Sequence, residues 1–388
     1  MFYVPVSNRS TSDDYTNITA AGGHGESTSE ILRRTGVKVC VVCVLIPIPV
    51  FAVLGNLLIW ASVVRFRNLQ TPTNSFIVSL ATADFLVAVL VMPFSLVGSV
   101  SSWCFGQNFC VAHFLLDLTL CTTSIFNLSC VALDRYVSVC DPLHYPARMS
   151  NRRVTTLLLL SWLLPLLVSS LCVSLGTYSR SAQSGPRGVR HEESQTCVAH
   201  FQIPYAVVVS TVCFFIPVLF MLFAYGKIYM AAHRQARWIH AMESQVRQVH
   251  MAQNQNTNDP IQSEPARRVR AKVGGFSIRK ERKAAKTLGL IMGVFLLCWL
   301  PHFSVNIAFS LWGNRISSRL MDAFMWLGYA NSSLNPFIYA SFNKHFRHAF
   351  AAILGLRILR RQIRGCLGAS QEVSERVQTG VSMETISK

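Results

Sequence analysis

Seven stretches, at roughly 37–64, 74–100, 108–140, 153–175, 201–232, 284–311 and 319–340, are each apolar over the ~18 or more residues that a helix needs to cross a bilayer. A chain of this kind is expected to be an all-α membrane protein, a seven-transmembrane helix bundle whose remaining sequence forms ends and loops. Composition points the same way: 51% of the residues are apolar and only 14% charged, far too apolar a balance for a soluble domain of this length.

The net charge of +18 raises nucleic acid as a partner, but its placement argues for topology instead. Between Arg234 and Lys286 stand twelve Lys or Arg against four acids, and the tail beyond Phe342 is basic again. Positive loops stay cytoplasmic. Arg65, Arg67, Arg148, Arg152 and Arg153 in the short loops fall on that same side, which places the N-terminus outside the cell. Anionic inner-leaflet lipid, rather than RNA or DNA, is then the partner of the excess charge. Asn8-Arg9-Ser10 and Asn17-Ile18-Thr19 are glycosylation sequons, meaningful at Asn8 and Asn17 only on an outer segment. Residues 1–35 are too polar for a cleavable signal peptide, so the first span is expected to act as signal anchor at the plasma membrane. The expected organisation is an outer tail at about 1–36, the bundle at about 37–340 with one long inner loop at about 233–280, and an inner tail at about 341–388.

The third stretch, Phe109 to Cys140, carries an acid, Asp117, and closes on Asp134-Arg135-Tyr136. At about 1.5 Å per residue, the 18 residues from Asp117 to Arg135 make about five turns, or about 27 Å. Both groups therefore share a helix face near opposite sides of one membrane. A carboxylate in hydrocarbon is costly enough that it faces a cavity or a partner. A cation arriving from outside is the candidate partner, and the far end of the same helix is the candidate output.

Twelve cysteines lie scattered without CxxC or Cys/His metal spacing, most of them inside apolar spans. Cys110 and Cys197 both face an oxidising compartment and form the expected disulfide, with Cys104 able to compete or to stay free. The long inner loop is rich in Gln and Asn around Met251-Ala252-Gln253-Asn254-Gln255-Asn256, so its middle is expected to lack structure, while Ala224 to Trp238 and Arg279 to Thr287 continue spans five and six as basic stalks. After Tyr339, Phe342, Phe346 and Phe350 recur at i, i+4 and i+8 among basic residues, which predicts a short amphipathic helix lying in the interface. Cys366, which follows Arg361, Arg364 and Gly365, suits palmitoylation; an unmodified tail cysteine is the alternative.

Other polar residues sit inside the spans. Asp84 has no base near it in sequence, while Asn331, Ser332 and Asn335, Ser124 and Asn56 on other spans offer oxygens and amides. An acid ringed by hard oxygen ligands suits a small cation, and Asp84, Ser124, Asn331 and Asn335 are the expected sodium site. The alternative is a water-filled polar network. In span six Phe295, Trp299 and Phe303 share a face, and Pro301 removes a backbone hydrogen bond beneath them. Such a stripe is otherwise read as core. Span seven carries Asp322, Trp326 and Tyr329 on one face, then Pro336, with nearby amides able to replace the bonds it breaks.

These landmarks resemble those of rhodopsin-like (class A) G protein-coupled receptors over about 37 to 366: Gly55-Asn56, Leu80-Ala81-Thr82-Ala83-Asp84, Cys110, Asp134-Arg135-Tyr136, Trp162, Pro217 with Tyr225, Cys298-Trp299-Leu300-Pro301 and Asn335-Pro336-Phe337-Ile338-Tyr339. The resemblance implies an aminergic pocket in which Asp117 pairs with a ligand ammonium, enclosed by Trp299, His302, Phe303, Trp326 and Tyr329, with Ser210 and Asp322 also in reach. Cation–π contact would add about 0.5–2 kcal/mol. Glu281 to Gly289 running into Met292 to Trp299, with Cys140-Asp141-Pro142-Leu143-His144-Tyr145-Pro146, is similar to trace amine-associated receptors, which implies a divergent member of that branch with an olfactory role; Ala340-Ser341-Phe342-Asn343-Lys344 looks more like adrenergic, dopamine or serotonin receptors, and a classical biogenic amine receptor (serotonin, dopamine, histamine or adrenergic-like) is the alternative. Span five offers a single hydroxyl, Ser210, among Val209, Ser210 and Cys213, which disfavours a catecholamine. Asp322 raises a diamine whose second ammonium it would hold; an acid favoured by the helix dipole is the bland alternative.

The resemblance also implies a heterotrimeric G protein, of the Gs type acting through cAMP, as partner, with arrestin and receptor kinases following. The expected switch has Arg135 held by Asp134 and Glu281 at rest, released when Trp299, Ile125, Pro217 and Phe295 repack, and met by Tyr225 and Tyr339. Rival classes lack their signatures. A retinal-binding sensor needs a lysine in span seven, and none occurs between Leu288 and Ala340. A transporter shows internal repeats and broken helices, and an enzyme needs a paired acid/base or nucleophilic site; neither is legible here.

Overall fold

The computed structural model describes residues 28–101, 103–182, 203–254, 289–308, 311 and 317–355. Among these every regular element is a helix. The first span consists of α1 (Thr28–Leu45) and α2 (Pro47–Arg65), the second of α3 (Pro72–Leu90) and α4 (Met92–Val100), and the third of α5 (Gln107–Cys140). A single turn, α6 (Tyr145–Arg148), leads into α7 (Asn151–Ala182) as the fourth. The fifth comprises α8 (Ile203–Ser210), a π-helical turn over Thr211–Phe215, and α9 (Ile216–Asn254). The sixth is α10 (Gly289–Ala308), and the seventh is α11 (Ser318–Phe342), followed by α12 (Lys344–Ile353). The first six spans are apolar enough to cross a membrane by composition alone. The seventh has the length, 25 residues, but dilutes its apolar content with Asp322, Asn331, Ser332, Ser333 and Asn335.

Two boundaries differ from expectation. The first helix starts at Thr28, ahead of its apolar part at Thr35, so residues 28–36 are helical rather than tail. The fifth continues past Trp238 to Asn254, through sequence expected to lack structure. No Gly or Pro stands between Gly226 and Pro260, and the Ala, Arg, Gln and Met that fill the segment are strong helix formers. The sequons at Asn8 and Asn17, Cys197, Glu281 and Cys366 lie outside the described residues.

The third span is the axis of the bundle: α5 packs against α3, α7 and α9, while α2 packs against α3 and α11. Polar side chains fasten these contacts. Trp162 Nε1 donates to Ser79 Oγ at 2.9 Å, and Ser161 Oγ donates to Asn127 Oδ1 at 3.3 Å. The proline in the seventh span is accommodated by the first. Pro336 has no N–H for the carbonyl of Ser332 one turn back, and Asn56 Nδ2 donates to that carbonyl at 3.0 Å instead. Gly55 makes the approach possible, since a Cβ there would lie 2.5 Å from Pro336 Cγ.

The predicted amphipathic helix is present as α12, but its aromatic face turns into the bundle. Asn343 caps it, its Oδ1 accepting from the backbone N–H of His345 and Phe346 at 3.0 and 3.4 Å. Phe346 and Phe350 are buried beside Tyr339, whereas Phe342, the last residue of α11, is exposed. The stripe therefore packs α12 on α2 and α11 rather than burying all three rings in lipid.

Candidate functional site

Asp117 lies in the half of α5 away from Arg135, with only 1% of its surface exposed. The Cys121 thiol, one turn along the same helix, donates to its Oδ1 at 3.2 Å. Among the described residues no lysine or arginine pairs with it. A buried carboxylate without a cationic partner is an unfavourable arrangement on its own, and here it opens onto a cavity.

That cavity is walled by three helices. The α5 wall is Phe114, Asp117, Leu118, Cys121 and Thr122, the α10 wall Trp299, His302 and Phe303, and the α11 wall Met325 and Tyr329. It holds about 20 Å³ of free space, room for on the order of one water. An amine must push side chains apart to enter. Trp299 can stand this close to α11 because residue 328 is glycine: a Cβ there would lie 2.7 Å from the indole Cζ3.

The predicted aromatic face of span six is real but incomplete. Trp299 and Phe303 lie 5.8 Å apart, and Phe303 stacks on Phe214 of span five at 4.4 Å and 12°. Phe214 also lies 6.0 Å from Phe295. Sequence reasoning missed Phe214 because the π-helical turn over Thr211–Phe215 adds a residue to the turn and shifts the inward face.

Trp326 and Tyr329 meet edge to face at 5.4 Å and 90°, with Trp326 standing behind Tyr329 rather than lining the cavity. The Tyr329 hydroxyl lies 3.2 Å from Ser95 Oγ, which lies 3.3 Å from His113 Nε2. His113 Nε2 also sits 3.2 Å from the Val91 carbonyl; a carbonyl only accepts, so Nε2 carries the proton. Ser95 and His113, absent from the expected set, thus brace the wall opposite Asp117.

Two expected ligand contacts are placed elsewhere. Ser210 is fully buried, accepts from Asn306 Nδ2 at 3.0 Å, and does not line the cavity. Asp322 accepts from Ser99 Oγ at 3.0 Å, and Trp326 Nε1 donates to the same oxygen at 3.0 Å. It ties the seventh span to the second and does not line the cavity with Asp117. It also lies beyond the first turn of α11, where the dipole reading would have put it.

Below the cavity, Asp84 accepts from Ser124 Oγ at 3.0 Å, Ser332 Oγ at 2.8 Å and Asn335 Nδ2 at 2.7 Å. Ser332, not Asn331, supplies the middle contact. One residue along a helix turns the side chain by about 100°, and Asn331 is buried elsewhere. Ile125, Phe295 and Trp299 belong to the main apolar cluster, and Pro217 is buried too.

At the other end of α5, Arg135 Nη2 lies 3.4 Å from Asp134 Oδ2. Asp134 also accepts from Thr73 Oγ1 at 2.6 Å and from the Tyr145 hydroxyl at 2.8 Å, partners that sequence reasoning did not name. The adjoining loop is fastened by Asp141, which meets His144 Nδ1 at 2.7 Å and Arg148 Nε at 3.0 Å. The His144 hydrogen bond, with the Arg148 charge, holds the Asp141 carboxyl below its ordinary range. Tyr225 is half-buried, and the Tyr339 hydroxyl is buried without a hydrogen-bond partner. Cys110 is buried and disulfide-bonded, while Cys104 is free and exposed.

Residues 55–339 match the family described as 7 transmembrane receptor (rhodopsin family). The chain is 40% identical over 323 residues to 5-hydroxytryptamine receptor 4 of Cavia porcellus, covering 82% of this chain and 80% of that one. It is 35% identical over 350 residues to octopamine receptor beta-2R of Chilo suppressalis, covering 88% and 85%. To trace amine-associated receptor 365 of Petromyzon marinus it is 36% identical over 335 residues, covering 84% and 83%.

Proposed function

The chain belongs to the rhodopsin family of seven-transmembrane receptors, with aminergic receptors as its relatives, and on that premise we propose that it is a plasma-membrane receptor for a compact protonated aromatic monoamine of the trace-amine kind, signalling through Gs and cAMP. The observation that carries this reading is Asp117: a buried carboxylate with no lysine or arginine partner among the described residues, opening on a small aromatic cavity. An ammonium ion would supply the missing charge, and Trp299, Phe303 and Tyr329 would enclose the ring. The position of Asp322 outside the cavity lining favours a monoamine over a diamine. The 40% identity to a 5-hydroxytryptamine receptor favours serotonin as a second reading. A cAMP reporter assay in transfected cells, run against a panel of monoamines and diamines, tests both; a panel activated no better by amines than by their neutral alcohol counterparts overturns them.

In this reading the N-terminus, with Asn8 and Asn17 glycosylated and a bridge from Cys110 to Cys197, lies outside the cell. Arg135 lies at the cytoplasmic end, where palmitoylation of Cys366 would anchor the tail. Ligand entry opens the Trp299 region, and the rearrangement passes through Phe295, Phe214 and Ile125 to the Arg135 end. The shift is limited to the ligand's differential affinity for the two states. Once Arg135 leaves Asp134 and Glu281, Tyr225 and Tyr339 can receive it, opening a cleft for the G protein and afterwards for receptor kinases and arrestin.

Asp134→Asn keeps one of the two oxygens that accept from Thr73 and Tyr145, leaves the other hydroxyl to accept from the new NH2, and removes the charge that holds Arg135. Because the pair is partly exposed, it is worth about 1 kcal/mol, so ligand-free cAMP should rise about fivefold. Unchanged basal output in cells with equal surface expression would refute the lock.

Asp84 with Ser124, Ser332 and Asn335 is proposed to hold sodium, with Asn331 replaced by Ser332 in the expected set. Raising sodium at constant ionic strength should lower agonist affinity several-fold in the parent receptor and not in Asp84→Asn. An equal sodium effect in both removes the site.

A further inference from the structure

The far wall of the cavity holds a polar group with nothing to bond. His302, on α10 across from Asp117, has 4% of its surface exposed, and its Nδ1 is buried without a hydrogen-bond partner among the described residues. Its neighbours are aromatic: Trp299 and Phe303 meet it edge to face at 6.0 and 5.4 Å. Phe303 has no hydrogen-bonding group, and the Trp299 indole N–H does not reach Nδ1 in this arrangement. A buried polar atom left in this state carries a desolvation penalty that a ligand group can relieve.

We infer that His302 reads the far end of the ligand and selects amines whose ring carries a hydroxyl or similar hydrogen-bonding group. A neutral imidazole offers one donor and one acceptor, which a hydroxyl can match in either direction. The ring lines the cavity, and a half-turn about its terminal side-chain bond exchanges its two edges, so the imidazole can offer a nitrogen to a ligand there. The other polar groups in reach are already engaged. Asp117 is reserved for the ammonium and accepts a hydrogen bond from the Cys121 thiol. Tyr329 is bonded to Ser95, and Ser210 is held by Asn306 away from the cavity. Thr122 lines the same wall as Asp117 rather than the wall facing it.

The inference rests on the amine reading above, so its test separates the two. Phenethylamine and tyramine differ by one ring hydroxyl, and tryptamine and serotonin form a second such pair. In the parent receptor the hydroxylated member of at least one pair should be about tenfold more potent than its partner, the size of one well-made hydrogen bond. In His302→Phe, which keeps an aromatic ring and removes both nitrogens, that ratio should fall to about twofold or less. A fold defect or altered packing of the cavity would weaken both members alike and leave the ratio unchanged, so the ratio within a pair, not the potency of either amine, is the readout. Surface binding of an antibody to an N-terminal tag reads folding, and His302→Gln, which restores a donor and an acceptor, should recover part of the ratio.

A ratio that survives His302→Phe overturns the inference, as does one lost only in Thr122→Val. If amines act through Asp117 with no hydroxyl preference, the His302 inference fails and the amine reading stands. If none of the four acts better than its neutral alcohol counterpart, both fail together.

Discussion

Asp117→Asn is expected to raise the amine concentration needed for half-maximal cAMP by about 150- to 5,000-fold, because removing one partner of a buried ion pair costs about 3–5 kcal/mol. The asparagine has nearly the same shape and keeps an oxygen for the Cys121 thiol, so the cavity should persist and the loss should be one of charge. A second consequence distinguishes this account from a structural role. Without ligand, Asp117 is a buried acid with no basic partner among the described residues, so its removal should leave the empty receptor as stable to heat as the parent, or more so. Measured on detergent-solubilised receptor, a large drop in ligand-free thermal stability would mean that Asp117 holds helices together. Amine potency within about threefold of the parent would mean that no ammonium pairs with it.

What the sequence made legible follows from what periodicity can encode. Apolar length reveals spans, and spacing along one helix puts Asp117 and Arg135 on a shared face or Trp299 below Phe303. Such patterns say nothing about which residue of another helix arrives opposite. The donor to the Ser332 carbonyl is Asn56, 276 residues away, and the brace on Tyr329 comes from Ser95 and His113 on two further spans. A register error of one residue suffices to exchange Asn331 for Ser332 beside Asp84. In span five the spacing holds for Val209, Ser210 and Cys213, all buried, but the π-helical turn also brings Phe214 inward, and Ser210 meets Asn306 rather than the cavity. The length of α9 is hidden for a different reason: its polar composition resembles that of an unstructured loop, although Ala, Arg, Gln and Met favour a helix whether or not it is packed.

The closest packing at the cavity gives the second large effect. A Cβ at position 328 would lie 2.7, 2.8 and 3.0 Å from Cζ3, Cε3 and Cη2 of Trp299, all atoms of a rigid indole. Gly328→Ala must therefore displace the ring as a whole, and Trp299 is already confined by His302 and Phe303 at 6.0 and 5.8 Å. The free direction is into the cavity, whose 20 Å³ leaves no slack. Overpacking of this kind costs about 1–3 kcal/mol, so amine potency should fall between about fivefold and about 100-fold. Because the harm is steric, shortening the obstructed side chain should relieve it. The double variant Gly328→Ala with Trp299→Phe should match Trp299→Phe alone to within about twofold, a coupling expected only of residues in direct contact. Two losses that simply add, or a Gly328→Ala receptor with parental potency, would show that the indole does not rest on that glycine when the amine is bound.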